Sequence, residues 1–206
     1  MIRDGSFRRF SDLGLVTPTG LMPRQIVDAP MAVEPIRRPG DFPLTSRGWA
    51  RASPMTQITV RKAEAADAPA IQALYRQLVS NPAVSVTPER IANLAADPAT
   101  ALLVAEIGGR VAGTVLVSLC ADVMFGDQPF AVIENVVVSG EHRGLGIGEA
   151  LMCHAERHCQ VTGCSKIMLL SSAERTEAHR FFERAGFTSS TKKGFVKYRR
   201  QFSSPT

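Results

Sequence analysis

Between residues 58 and 200 the spacing of hydrophobic positions changes several times, and each change predicts a new element. Residues 58–62 alternate between apolar and polar side chains, as expected for a strand with one buried face. Apolar residues then recur at helical spacing in two segments, 67–78 and 87–94, each with a capping side chain and a proline near its start. The domain is therefore predicted to begin with a strand followed by two helices.

Further along the chain the apolar pattern returns to strands. Segments 101–106, 111–119 and 130–138 are predicted strands, and Gly108-Gly109 is a hairpin signal between the first two. Helical spacing resumes from about residue 147 to 161 and ends near Gly163. The last predicted elements are a short apolar strand at 167–170, a helix from about 176 to the Ala185-Gly186 pair, and two late strands around 187–190 and 195–199.

Residues 1–56 follow neither period. They contain seven of the thirteen prolines and only scattered charges, which predicts a disordered extension. The alternative is that the protein starts at Met55, immediately before the first strand. The folded domain is accordingly predicted to occupy residues 57–202, with 203–206 as a short tail.

The junction between the strand that ends at Val138 and the following helix is the most informative segment. A glycine-rich turn there presents free backbone N–H groups at the positive end of the helix dipole, which predicts an anion site. The turn is not a P-loop, because Gly148 is followed by Glu149-Ala150 rather than by lysine and a hydroxyl residue. Its glycine spacing also differs from the Rossmann fingerprint. A tight turn without a ligand is the alternative interpretation.

Two motifs carry a family resemblance. Arg143, Gly146 and Gly148 form the pattern Arg-x-x-Gly-x-Gly, which resembles the pyrophosphate loop of the GNAT family of N-acetyltransferases. Residues 177–187 resemble that family's helix near the CoA thiol, and the similarity covers about residues 58–200. The resemblance implies an α/β (α+β) domain of the acyl-CoA N-acyltransferase type, with a mixed, mostly antiparallel central sheet flanked by helices on both faces.

The resemblance also implies a reaction. Acetyl-CoA would be the co-substrate, and its acetyl group would pass to a primary amine of a small molecule by direct attack in a ternary complex. A non-catalytic acyl-CoA-binding module and a protein N-acetyltransferase are the alternatives. The residues that the family motifs assign to cofactor binding are Val136, Val138, Arg143, Gly144, Gly146, Ile147, Gly148 and Arg175.

Glu134 is the candidate catalytic residue. The attacking amine must lose a proton, and the resemblance places a glutamate at this strand position as a base that acts through water. A solvent-facing glutamate without a catalytic role is the alternative. The family usually has a tyrosine that protonates the leaving thiolate, but this chain has Phe182 there, and its tyrosines are Tyr75 and Tyr198.

Composition and charge limit the binding partners and the cellular compartment that can be predicted for this protein. The net charge of +5 is spread along the chain, so no nucleic-acid partner is expected, although the charge suits an anionic ligand such as CoA. No apolar run is long enough for a membrane span, and four cysteines without a C-x-x-C pair favour the reducing cytoplasm. His154 and His158 lie one helical turn apart, but without a third ligand they predict no metal site. A homodimer is left open.

Overall fold

The structure is a computed structural model, and it describes residues 57–203. The predictions of a disordered extension over 1–56 and of a start at Met55 lie outside the described residues, as do positions 204–206 of the predicted tail. Within the described range, the strand and helix pattern predicted for residues 58–186 is observed with shifts of one or two residues at the ends of elements.

In the described part of the chain, five strands form one sheet in the order β1-β2-β3-β4-β5. Neighbouring strands from β1 to β4 pair antiparallel, and β4 pairs with β5 in parallel. The predicted mixed, mostly antiparallel sheet is therefore confirmed. The strand bounds are β1 Ile58–Lys62, β2 Thr100–Ile107, β3 Arg110–Cys120, β4 Phe130–Val138 and β5 Ile167–Leu169.

Within residues 57–203 four α-helices flank the sheet, and the two predicted side-chain caps differ in outcome. The Asp67 side chain makes no hydrogen bond to the start of the first helix, so the prediction that it caps this helix was wrong; it accepts the Glu64 N–H at 2.7 Å instead. Thr87 caps the second helix, because its Oγ1 accepts the Arg90 N–H at 3.2 Å. Both of the first two helices have a proline in the first turn, where no intrahelical N–H is needed. The helix bounds are α1 Ala68–Leu78, α2 Pro88–Ala96, α3 Ile147–Val161 and α4 Thr176–Arg184.

The two faces of the sheet carry separate hydrophobic clusters. On β2, Leu103 and Ala105 join the cluster under α3, whereas Leu102 and Val104 join the cluster under α1 and α2. This division follows from the period of two in a strand, which sends successive side chains to opposite faces. Helices therefore cover both faces of the sheet, as the sequence predicted.

One ionic cluster ties β1 to the start of α1. The guanidinium of Arg61 donates to both carboxylate oxygens of Asp67, at 2.7 and 2.9 Å, and its Nε donates to Glu106 at 2.9 Å. Burial by itself raises the pKa of the Asp67 carboxyl, but the bonds from Arg61 and from the Glu64 N–H outweigh burial and hold that pKa below its usual value. The contact fixes the entry into α1, which borders the site described below.

The two late strands predicted from the sequence were wrong. The described residues from 187 to 198 have no regular secondary structure, and only a short 3₁₀ turn follows at Arg199–Gln201. Residues 188–193 contain no apolar side chain, so this segment has no face to bury against the sheet. Phe195 is 88% exposed, and the apolar alternation that suggested the second strand is not used for packing.

Candidate active site

Strand β4 contains a bulge at Asn135. The β3 residues Leu116 and Thr114 pair with Glu134 and Val137, so two steps along β3 correspond to three steps along β4. Asn135 and Val136 therefore lie opposite a single β3 residue, and Asn135 has a φ of 56°. Among described residues other than glycine, this is the one positive φ, and asparagine tolerates that region better than most side chains.

The bulge changes which residues of β4 face the core under α3. Ala131 and Ile133, before the bulge, belong to that core, and Val136 and Val138, after it, pack against the same core. The inward-facing positions thus change from odd to even numbers, as one inserted residue requires. Val136 and Val138 share a face, which agrees with their predicted common direction.

A cavity of about 320 Å³ opens where β4 and β5 separate. The parallel ladder ends at the pair Ile133 and Leu169, so the backbone of β4 beyond this point has no β5 partner. The C-terminal end of α1, both strands and α4 contribute walls. The lining residues are Leu78, Val79, Ile133, Glu134, Asn135, Val136, Leu169, Leu170, Ser171, Ser172, Arg175, Ala178 and Phe182.

Three of the residues predicted for the site meet in this cavity. Glu134 and Val136 come from β4, on either side of the bulged residue, and Arg175 precedes the first turn of α4. The side chains of Glu134 and Arg175 are exposed, so both charges are hydrated. Phe182, from α4, also lines the cavity and packs against the core under α3.

The other predicted residues lie beyond the cavity, at the end of β4 and the start of α3. Gly144 and Gly146 have φ values of 77° and 85°, a left-handed conformation that glycine adopts without strain. A Cβ placed on Gly144 would meet no atom within 4 Å, so a ligand can approach the backbone closely. Val138 and Ile147 are partly and fully buried beside this turn, and Arg143 is exposed on it.

The start of α3 presents unused backbone donors. Its first intrahelical bond runs from the Ala150 N–H to the Gly146 carbonyl at 3.0 Å, so the N–H groups of Ile147, Gly148 and Glu149 lie outside the helical ladder. These groups stand at the positive end of the helix dipole. Together with the two left-handed glycines, they fit the diphosphate of a nucleotide cofactor.

Gly148 has a packing constraint that the sequence did not reveal. The residue is buried, and a Cβ built on it would lie 3.0 Å from both Cε2 and Cζ of Phe181, on α4. The absence of a side chain here lets the Phe181 ring lie against the first turn of α3. That Gly148 also contacts the cofactor remains a prediction.

Helix α1 supports the site at one place that sequence reasoning missed. The Gln77 side chain accepts the Gly140 N–H at 3.1 Å and so attaches the turn after β4 to α1. The sequence held one signal for the bulge, since an asparagine inside a run of β-branched residues is unfavourable for a regular strand.

Neither a metal cluster nor a membrane span occurs in residues 57–203. No group of three or more His, Cys, Asp or Glu side chains there could hold a metal ion. The Nδ1 of His154 lies 3.0 Å from the Ala150 carbonyl, which accepts its hydrogen bond. None of the helices in that range is long and apolar enough to cross a membrane.

Comparison with known proteins decides the family. The model of the acetyltransferase (GNAT) family matches residues 69–187, more than half of the chain. The chain belongs to this family. The match contains the bulged strand, the glycine turn and α4, so the whole candidate site lies inside the GNAT domain.

Solved structures agree with this assignment. A putative acetyltransferase from Agrobacterium tumefaciens is 30% identical, covers 68% of this chain and 99% of its own, and has a TM-score of 0.62. Glucosamine-6-phosphate N-acetyltransferase from Arabidopsis thaliana is 26% identical over 69% of this chain and 99% of its own, with a TM-score of 0.61. An aminoglycoside N-acetyltransferase in complex with CoA shares the fold at 19% identity, with a TM-score of 0.60 over 76% of this chain and 99% of that one.

A curated relative is mycothiol acetyltransferase from Thermobispora bispora. It is 35% identical over 104 residues, which are 50% of this chain and 34% of that protein. This chain therefore matches about a third of the length of that relative, and the similarity supports the domain rather than the relative's whole activity.

Proposed function

We propose that this GNAT protein transfers an acetyl group from acetyl-CoA to a primary amine of a small molecule, by direct attack in a ternary complex. The observation that carries the proposal is the position of the cavity. It is lined by the exposed carboxylate of Glu134 and by Val136, on the strand that leads into the glycine turn. A donor held at the turn and along β4 would have its thioester next to that carboxylate.

In this proposal, backbone groups bind most of the acetyl donor, acetyl-CoA. The N–H groups at the start of α3 and the left-handed Gly144 and Gly146 suit the diphosphate, and Arg143 adds a positive charge on the exposed side of the turn. Val136 and Val138 would offer the backbone of β4 to the extended arm of the cofactor, since β5 leaves that edge unpaired. Arg175, immediately before α4, lines the same cavity.

The chemical step requires a neutral amine and a polarised carbonyl. In our proposal Glu134 takes the proton of the ammonium group, directly or through one water, and the amine then attacks the thioester carbon. The Val136 N–H, beside the bulge, would donate to the oxygen that gains negative charge. The nitrogen then loses its second proton to water, and collapse of the tetrahedral species breaks the C–S bond and releases the amide and the CoA thiolate.

The thiolate finds no acidic side chain at Phe182. A phenyl ring has no proton to donate, so water would protonate the departing sulfur. A thiolate is a stable enough leaving group near neutral pH for this to support turnover. Phe182 is also the observation that favours the second candidate, an acyl-CoA-binding module without catalysis.

The acceptor is proposed to be a small polar amine. A cavity of about 320 Å³ lies at the low end of small-molecule sites. Its walls combine apolar side chains with Ser171, Ser172 and the charges of Glu134 and Arg175. Relatives named for glucosamine 6-phosphate and aminoglycosides make amino sugars the first class to test. The four free cysteines suit a reducing compartment, for which we propose the cytoplasm.

The test is turnover of acetyl-CoA with amines. The full chain is assayed by CoA release with glucosamine 6-phosphate, an aminoglycoside and a peptide with a free N-terminus, and product mass confirms acetylation. Glu134→Gln should lower kcat at pH 7 by roughly 10²-fold, with a smaller loss at high pH where the amine deprotonates unaided. Glu89→Gln, another exposed glutamate, is the matched control and should keep the wild-type rate.

Each outcome separates the candidates. CoA binding by calorimetry without turnover of any amine would favour the binding module. Acetylation of the peptide alone would favour a protein N-acetyltransferase. Wild-type kcat for Glu134→Gln at pH 7 would remove this carboxylate from the mechanism.

A further inference from the structure

The cavity between β4 and β5 has an apolar inner end. Ile133 and Leu169, which form the last register pair of the parallel ladder, both line it, and Ile133 is buried. The charged lining residues Glu134 and Arg175 are exposed and so mark the open side. The cavity therefore passes from a hydrated mouth to an apolar floor, and the end of a ligand that reaches this floor has to be apolar.

Helix α4 supplies a wall beside the floor. Arg175, the residue before the helix, and then Ala178 and Phe182 line the cavity at spacings of three and four residues, which places them on one face of α4. Ala178 takes up little room because its side chain is a single methyl group. Phe182 is the largest apolar side chain of the lining, so its ring limits how far the cavity extends along α4.

Two further aromatic rings hold Phe182 in place. Its ring centroid lies 5.2 Å from that of Phe181 and 6.2 Å from that of Phe187, and all three rings pack against the core under α3. The Phe187 N–H also donates to the Phe182 carbonyl at 3.0 Å, just beyond the end of α4. Moving the Phe182 ring would disturb this packing, so the ring forms a fixed wall of the cavity.

We propose that Phe182 sets the length of the acyl group that the protein accepts, admitting acetyl and excluding longer chains. This inference rests on the proposed function, which puts the thioester carbonyl beside the Val136 N–H. The cofactor arm then runs along β4 toward the glycine turn, the acyl substituent points to the apolar floor, and the amine enters through the hydrated mouth beside Glu134. A methyl group fits without displacing the ring, whereas each further methylene meets it.

Donor selectivity tests the proposal. With acetyl-, propionyl- and butyryl-CoA and one saturating amine, the wild-type kcat/KM should fall about 10-fold or more for each added methylene. Phe182→Leu removes the outer part of the ring and keeps an apolar side chain, so it should lower the acetyl-to-butyryl ratio at least about 10-fold. Phe182→Ala removes the whole ring and should lower the ratio further. A wild-type protein without chain-length preference, or Phe182 variants that keep the wild-type ratio, would overturn the proposal.

Phe187→Leu is the matched control. Phe187 belongs to the same group of three rings but does not line the cavity. Its variant therefore loosens the group while leaving the wall in place, and it should keep the wild-type acetyl-to-butyryl ratio within about twofold. An equal change of the ratio in Phe187→Leu and Phe182→Leu would overturn the assignment of selectivity to the Phe182 wall.

Calorimetry covers the case in which no acceptor amine is found. In the wild-type protein, Kd for butyryl-CoA should exceed Kd for acetyl-CoA by about 10-fold or more, and Phe182→Leu should remove most of that difference. Equal wild-type affinities for the two donors would refute the acyl pocket itself. The expected affinities in a protein that acetylates no amine would refute the proposed function while supporting the pocket.

Discussion

Replacing Gly148 by alanine tests whether this glycine serves the cofactor, the packing of α4, or both. The added Cβ would lie 3.0 Å from two carbons of the Phe181 ring. Unstrained carbon contacts are about 3.5–4.0 Å, so the ring has to retreat by several tenths of an ångström. The structure therefore predicts a loss of stability that depends on Phe181.

The size of the loss follows from two opposing effects. Overpacking costs about 1–3 kcal/mol, and we take about 1.5 kcal/mol because the half-buried Phe181 can shift outward. Alanine is favoured over glycine within a helix by about 0.5 kcal/mol at this end position. The net destabilisation should be about 1 kcal/mol, or about 2–5 °C in Tm for a domain of this size.

Four proteins make the assay decisive: wild type, Gly148→Ala, Phe181→Leu and the double variant. Urea unfolding gives the free energy of unfolding of each, and calorimetry gives its Kd for CoA. A shorter leucine removes the ring atoms that meet the new Cβ. In the Phe181→Leu background, Gly148→Ala should therefore be neutral or stabilise the fold by about 0.5 kcal/mol.

The affinity measurement separates the two roles of Gly148. If the glycine serves only packing, the alanine changes Kd for CoA by less than about twofold in the leucine background. A 10-fold loss there would mean that the Cβ blocks the ligand itself. An equal loss of stability from Gly148→Ala in both backgrounds would refute the contact with Phe181 as its cause.

Two further predictions concern titration and reactivity on α3. Burial, with the nearby charge of Lys62, lowers the pKa of His158, so the unfolded chain binds the proton first as the pH falls through about 6.5, and the folded state loses stability. Urea unfolding at pH 7.5 and 5 measures this loss, and His158→Gln should remove it. An unchanged pH dependence of the free energy of unfolding would contradict the prediction. Burial, with Cys164 beside it, raises the pKa of the Cys159 thiol to about 12, whereas Cys153 is exposed. Iodoacetamide at pH 8 should label Cys153 at least about 10²-fold faster, as peptide mapping would record, and comparable labelling of Cys159 would mean that the end of α3 opens readily.

The sequence predicted most of the fold because its signals are local. Alternation in β1, apolar runs in β2 to β4, helical spacing in α1 to α4, the Thr87 cap and the glycine turn can each be recognised within a few residues. The Arg-x-x-Gly-x-Gly pattern also pointed to the family, and Glu134, Val136 and Arg175 were brought into one cavity as a consequence of that fold. The local signals, unlike the cavity itself, depend only on neighbours in the chain.

The features that only the tertiary structure decided depend on contacts between distant segments. The alternation in 195–199 looked like a strand, yet those residues do not pair with the sheet. The bulge at Asn135 arises from the register between β3 and β4. Gly148 resembled a ligand-binding glycine in the sequence, but its contact with Phe181 exists only after α3 and α4 pack on the same face. The spacing of residues along a chain reflects local backbone preference. The register of β3 with β4, the close approach of Phe181 to Gly148 and the cavity between β4 and β5 are instead set by how separate elements pack.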